Sequence, residues 1–300
     1  RGEKLMNKKE LMNNKYFIAA LFLLPAVIFS LVYLIIPIPL SAYYSFFKWD
    51  GIGAMEFLGF ENWSKLLSDP IFWSSMANNF KLVIISLVVQ IPIALFLAVL
   101  LTRKIKGASF FKTIYFVPML LSSIAVAFLW RYMYDPTFGL INGVLNLVGL
   151  EQLTRSWLGN PDIAFYSVAA PVQWRFIPLY MIIFMAGISN IPKQLYEAAE
   201  IDGANKWQTF FFVTLPMLRS TVVNASVLII VGSLKYFAMI FALTGGGPNH
   251  ASELMATYLY SKSFTEMNMG YGSTISVALF LVALIVSVVF LNLSKKDVRN

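Results

Sequence analysis

Ile191-Pro192-Lys193-Gln194-Leu195-Tyr196-Glu197-Ala198-Ala199-Glu200-Ile201-Asp202-Gly203-Ala204-Asn205-Lys206-Trp207, continuing through Gln208-Thr209-Phe210-Phe211-Phe212-Val213-Thr214-Leu215-Pro216, is a polar interruption in an otherwise apolar chain. Pro192 suits the first turn of a helix, where its missing N–H would be unpaired anyway. Leu195, Ala198 and Ala199 then share one face at i, i+3 and i+4. Two alanines there let another surface approach closely. Gly203 permits the turn that ends this helix, where a β-carbon would resist positive φ. A second amphipathic run, Asn205 to Val213, follows, and Pro216 opens the next apolar stretch. The spacing predicts a helix–turn–helix on a membrane face with a small, polar-edged ridge. Taken alone, the pattern fits equally an interfacial helix that merely joins two spans.

The rest of the chain supplies the membrane. Of its 300 residues 58% are hydrophobic, 16% aromatic and only 13% charged. A soluble domain carries about 25% charged residues, so the excess apolar surface must face lipid, as the mean hydropathy of +0.70 agrees. A spanning helix needs about 20 mostly apolar residues to cross a core roughly 30 Å thick. Six stretches qualify: one within 16–47, broken by Pro37 and Pro39 near its far end, then 82–101, 113–130, 163–191, 215–244 and 272–293. The first is much longer than the apolar core of a signal peptide and reads as a retained helix. The expected fold is all-α and integral to the membrane, with six helices and the quoted segment between the fourth and fifth.

Charge sets the orientation. On the side holding both termini and the stretches 102–112 and 192–219 fall 15 of the 23 Lys and Arg residues. The other side holds 6, and Arg175 and Lys235 lie inside spans. The positive-inside rule makes both termini cytoplasmic. A net charge of +8 is therefore topological, and nucleic acid is not an expected partner. The division is a cytoplasmic segment 1–15, a spanning body 16–294 with the segment 192–214 inside it, and a cytoplasmic tail 295–300. Aromatics in the outer loops read as interfacial anchors. No cysteine and one histidine, His250, exclude disulfides, thiol nucleophiles and His-rich metal sites.

The quoted segment resembles the signature of permease subunits of binding-protein-dependent ATP-binding-cassette importers. That signature is Glu-Ala-Ala, three residues, Gly, nine residues, an aliphatic, one residue, then Leu-Pro. Glu197, Ala198, Ala199, Gly203, Val213, Leu215 and Pro216 meet it with every spacing kept. Leu24-Pro25-Ala26, Phe57-Leu58-Gly59-Phe60-Glu61-Asn62-Trp63, Pro136-Thr137-Phe138-Gly139 and Gly245-Gly246-Gly247-Pro248 resemble the carbohydrate branch, in its maltose- and lactose-type larger-permease group. The likeness covers about residues 20–295.

The resemblance implies that Glu197, Ala198, Ala199, Asp202 and Gly203 form a coupling helix seated on a cytoplasmic ATPase. It also implies a second, homologous permease, two ATPase subunits and an extracytoplasmic solute-binding protein, in a bacterial plasma membrane. The chain has no Gly-x-x-x-x-Gly-Lys-Ser/Thr phosphate loop. It is expected to be no enzyme and to hold no cofactor or metal of its own, ATP and Mg being bound by the partner ATPases.

Ionisable residues inside spans are functional candidates, and Arg175 and Lys235 are the two. Aligned on the Glu-Ala-Ala motif, the sugar-contacting positions of maltose-type permeases fall on Arg175, Phe176, Leu179, Ser233 and Tyr236, with Lys235 beside them. The maltose-type asparagines are missing there, which argues against maltose. Structural readings stand beside these. Lys235 also fits a snorkelling lysine or one paired with the partner permease, and Arg175 fits a side chain bonding carbonyls freed near Pro178. Two positive charges facing the path would favour an acidic sugar. Gln90 and Asn224 are weaker candidates, since polar residues also stitch spans together. The competing class is an ion-coupled secondary transporter, which usually places acids within spans; here all 15 Asp and Glu map to loops or tails. A membrane-embedded hydrolase would need a catalytic constellation that the chain lacks, and a channel would not need the coupling segment.

Overall fold

A computed structural model describes residues 8–102 and 107–298. Residues 1–7 and 299–300 of the expected cytoplasmic ends lie outside the described residues, as do Arg103, Lys104 and Lys106 of the basic side.

Helix α1 (Lys8–Ser30) passes through a wide π-type turn, Leu31–Ile35, into α2 (Pro37–Tyr44). The expected break at Pro37 does not occur. The Ile36 N–H reaches back five residues to the Leu31 carbonyl at 2.8 Å, and Pro37 takes the first position of the next segment, where its missing N–H costs nothing. A short ribbon pairs β1 (Phe47–Lys48) with β2 (Glu56–Phe57), and α3 (Glu61–Ser68) follows.

The second span is longer than its apolar run. α4 (Pro70–Thr102) has 33 residues, about 50 Å at roughly 1.5 Å each. It starts early because Asp69 caps it: Oδ1 accepts from the Ile71 and Phe72 N–H groups at 2.9 and 3.3 Å. Burial works against ionising Asp69. Hydrogen bonds from the Tyr258 and Tyr271 hydroxyls and from those two N–H groups outweigh it, so the carboxyl sits below its ordinary pKa. Both tyrosines donate to Asp69 Oδ2, tying distant parts of the chain to this cap.

The third span is two helices, α5 (Ala108–Leu120) and α6 (Ser123–Met133), bent by 99°. Leu121 is extended, and Ser122 caps α6 by accepting the Ala125 N–H at 3.1 Å. α7 (Leu140–Leu147) and a tight turn at Glu151–Leu153 lead to α8 (Pro161–Ser189), with Asn160 as its cap.

After α9 (Lys193–Ile201) and α10 (Lys206–Thr209) comes a second π-type turn, Phe210–Thr214, then α11 (Leu215–Met217) and α12 (Arg219–Leu234). The expected fifth span, 215–244, is broken at 235–237, beyond which α13 (Ala238–Thr244) resumes. Asn79 of α4 holds that break. Its amide donates to the Ser233 and Leu234 carbonyls at 3.2 and 2.8 Å, and its oxygen accepts the Met255 N–H at 2.9 Å. Irregular backbone at membrane depth needs such a partner. α14 (Met255–Tyr260), a third π-type turn and α15 (Met269–Val298) complete the chain. Among the described residues four helices are long and apolar enough to cross a membrane, up to six if each bent pair is one span.

The core is seamed by α4, α8 and α12. Ala94, Leu95 and Ala98 pack on Tyr180, Met181 and Phe184, and on Leu218, Ala225 and Ile229. Gly187 allows the α8–α12 approach, since a β-carbon there would come within 2.7 Å of Leu218 Cδ2. A second cluster joins Val126 of α6, Phe165 and Val168 of α8, and Met239 and Ile240 of α13.

Candidate functional site

The 192–214 segment folds from strong local signals. Pro192 stands as the cap of α9. At the far end Asp202 closes the helix and Gly203 takes φ +72°. The Gly203 N–H bonds the Glu200 carbonyl at 3.1 Å and the Ala204 N–H bonds the Ala199 carbonyl at 2.9 Å, which is a Schellman ending. Asn205 and Gln208 then form a reciprocal capping box that starts α10. The Tyr196 hydroxyl lies 3.2 Å from Thr214 Oγ1, pinning α9 to the π-type turn.

The ridge this builds is uncovered. Glu197, Ala198, Asp202 and Gly203 are exposed and Ala199 is half-buried. Beside them Ile201 and Trp207 are 86% and 74% exposed. Apolar side chains held out by well-capped helices form a face shaped for contact. Sequence reasoning passed over Ile201 and Trp207, although both stand inside the quoted segment.

A second cluster lies at the interior. Gln90 of α4 donates to Gln173 of α8 at 2.7 Å, and Gln173 donates to Ser86 at 3.3 Å; all three are buried. Next to them Gln90, Phe176, Tyr180, Ser233 and Tyr236 line a cavity of about 30 Å³. Phe176 and Tyr236 meet edge to face, with centroids 5.8 Å apart. The structure thus brings together four of the sequence candidates, Phe176, Ser233, Tyr236 and the weaker Gln90. Leu179 is half-buried against the α4–α8 core. Lys235 ends α12 with its side chain exposed.

Arg175 reaches towards the bent span. Its guanidinium donates to the Ser123 hydroxyl and, at 3.1 Å, to the Leu121 carbonyl that the bend frees. It also lies over the Phe176 ring at 5.4 Å. Arg175 Nε and the Tyr236 hydroxyl are both buried without a hydrogen-bond partner among the described residues. Buried polar atoms left open are costly, and both side chains meet the Phe176 ring. The Ser122-Ser123 pair inside an apolar run was the sequence signal for the bend that Arg175 braces.

A family model described as the inner membrane component of binding-protein-dependent transport systems matches residues 90–296. The chain belongs to this family. The permease is 38% identical to a probable ABC transporter permease protein of Pyrococcus horikoshii, over 92% of this chain and 95% of that one. It is 32% identical to the diacetylchitobiose uptake system permease protein of Streptomyces coelicolor, over 95% and 84%. In fold it matches a chain of a bacterial alginate ABC transporter, solved in complex with an alginate pentasaccharide-bound periplasmic protein. That match has a TM-score of 0.85 at 23% identity and covers 98% of both chains.

Proposed function

We propose that this permease is one transmembrane subunit of an ATP-driven importer, forming half of the path by which a carbohydrate, an oligosaccharide, crosses by alternating access. The carrying observation is the α9 ridge: an exposed helix that bears Glu197, Ala198 and the half-buried Ala199 and is closed by Asp202 and Gly203. That ridge is the coupling helix, seated on a cytoplasmic ATPase that binds ATP and Mg. Counting each bent pair as one span gives six crossings within 16–294. Both termini, 1–15 and 295–300, then lie on the cytoplasmic side with 192–214.

The first span supports a second permease as partner. From Ile18 to Tyr44 it has no buried side chain in its own fold up to Leu40, and Phe22 and Tyr33 are 80% and 70% exposed. Such a helix packs on another subunit or on lipid. An extracytoplasmic binding protein delivers the sugar, a reading supported by the alginate neighbour, solved with a pentasaccharide-bound periplasmic protein.

Phe176, Ser233 and Tyr236 contact the sugar, with Arg175 and Lys235 near the path and Leu179 behind it. Aromatic faces stack on sugar C–H faces and the orphaned donors bond hydroxyls. Arg175 bonds only neutral groups among the described residues, so its charge is uncompensated and favours an acidic sugar. Arg175→Gln or Lys235→Gln is expected to weaken uptake of a uronate oligosaccharide several-fold more than that of a neutral one. Equal losses would remove the acidic preference from the reading.

The test of the function is reconstitution with the second permease, the ATPase and the binding protein in proteoliposomes. ATP hydrolysis should drive oligosaccharide uptake, and ionophores should leave it unchanged. Uptake that follows a proton or sodium gradient without ATP would restore the secondary-transporter reading.

A further inference from the structure

Between α4 and the stretch from α10 to α11 runs an open groove of about 620 Å³. Both walls have irregular backbone bonding. Pro92 inside α4 has no N–H to donate, so one bond of that helix is missing. On the facing wall the π-type turn at Phe210–Thr214 inserts an extra residue. Phe96 and Val99 on one side face Phe210 on the other, and the only charged lining residue among those described is Lys206.

Lys206 stands where the groove meets a neighbouring cavity of about 420 Å³, which Lys193 and Tyr196 of α9 also line. Its ammonium has no hydrogen bond or ion pair among the described residues. Beside it Trp207 is 74% exposed, as an interfacial tryptophan is. A groove that is apolar along its length and cationic at one end, with tryptophan at the boundary, is complementary to an acyl chain that ends in a phosphate.

We propose that this groove binds a glycerophospholipid with an anionic headgroup, its acyl chain against Phe96, Val99 and Phe210 and its phosphate on Lys206, next to Lys193. The proposal rests on the reading that 192–214 lies at the cytoplasmic membrane surface. The lipid sits behind α9, where the groove meets the cavity that Lys193 and Tyr196 line.

The complex, purified in mild detergent, is analysed by native mass spectrometry with palmitoyl-oleoyl phosphatidylglycerol or phosphatidylcholine added. Phosphatidylglycerol should be retained roughly fivefold better, the weight of about one cation on an anionic headgroup. Lys206→Gln should erase that preference, and Val99→Trp, which fills the groove, should reduce retention of both lipids. Co-purification of the ATPase with Val99→Trp should be unchanged; its loss from wild type would instead count against the importer reading. Equal retention of the two lipids by wild type, or an undiminished preference in Lys206→Gln, would overturn the proposal. So would a photo-reactive residue at Phe211 that captures a polypeptide instead of lipid, because the groove would then hold a helix of the second permease.

Discussion

Arg175 carries two readings from the sequence, a substrate contact and a side chain that bonds freed carbonyls. A guanidinium inside a span reads first as a substrate contact, yet here two of its donors hold the turn between α5 and α6. Hydrogen bonds between spans are worth about 0.6 kcal/mol each on average and at most about 1.7. Arg175→Leu should therefore cost roughly 1–3 kcal/mol, read as a lower melting temperature in detergent; an unshifted melt would deny the bracing role. Asp69 gives the clearest pH dependence. Its folded-state pKa lies below the unfolded value of about 3.9, so ionised Asp69 favours the fold. That stability is present above about pH 4 and is lost as pH falls through the lower, folded-state value. Asp69→Asn keeps an oxygen for the cap but loses the carboxylate that the Tyr258 and Tyr271 hydroxyls bond, and should cost about 1.5–3 kcal/mol at neutral pH, read as a lower melting temperature. It should also flatten the decline between about pH 5 and pH 3, and an unchanged acid limb would refute this.

Elements made by neighbours in sequence were legible, and those made by distant partners were not. Gly203 at φ +72° and the Asn205–Gln208 box follow from residues within a few positions, so the helix–turn–helix could be read directly. The apolar stretches also announce themselves, because composition over about 20 residues decides whether a segment can sit in lipid. Hydropathy measures length and carries no direction, so it hid the 99° bend between α5 and α6, for which the Ser122-Ser123 pair was the local signal. The break at 235–237 was hidden for the same reason: its free carbonyls are met by Asn79, about 155 residues away. The candidate site divides likewise, for the α9 ridge is local whereas the Gln90–Gln173 bond joins two separate helices. Two substitutions test these elements. Gly203→Val places a β-branched residue at positive φ, at a cost of roughly 1–2 kcal/mol, and should abolish ATPase co-purification while the folded chain persists. Asn79→Leu should cost about 1–3 kcal/mol, leaving the carbonyls of the break unpaired; retention of wild-type stability would mean that another group holds the break.

The chain has no cysteine, so single-cysteine variants report sidedness without background. Asn249 and Gln194 are both exposed and are assigned to opposite faces. Asn249→Cys should react with a membrane-impermeant maleimide in intact cells, and Gln194→Cys only after permeabilisation. Labelling of both from outside would overturn the orientation. The central claim concerns what α9 touches. It is tested most directly by cross-linking from Ala198→Cys in the complex purified from its native membrane. A cross-linked product that contains an ATP-binding subunit, and that disappears in the Gly203→Val background, is the expected result. Cross-links only to another copy of the chain, or none in a preparation where the ATPase is present, would contradict it.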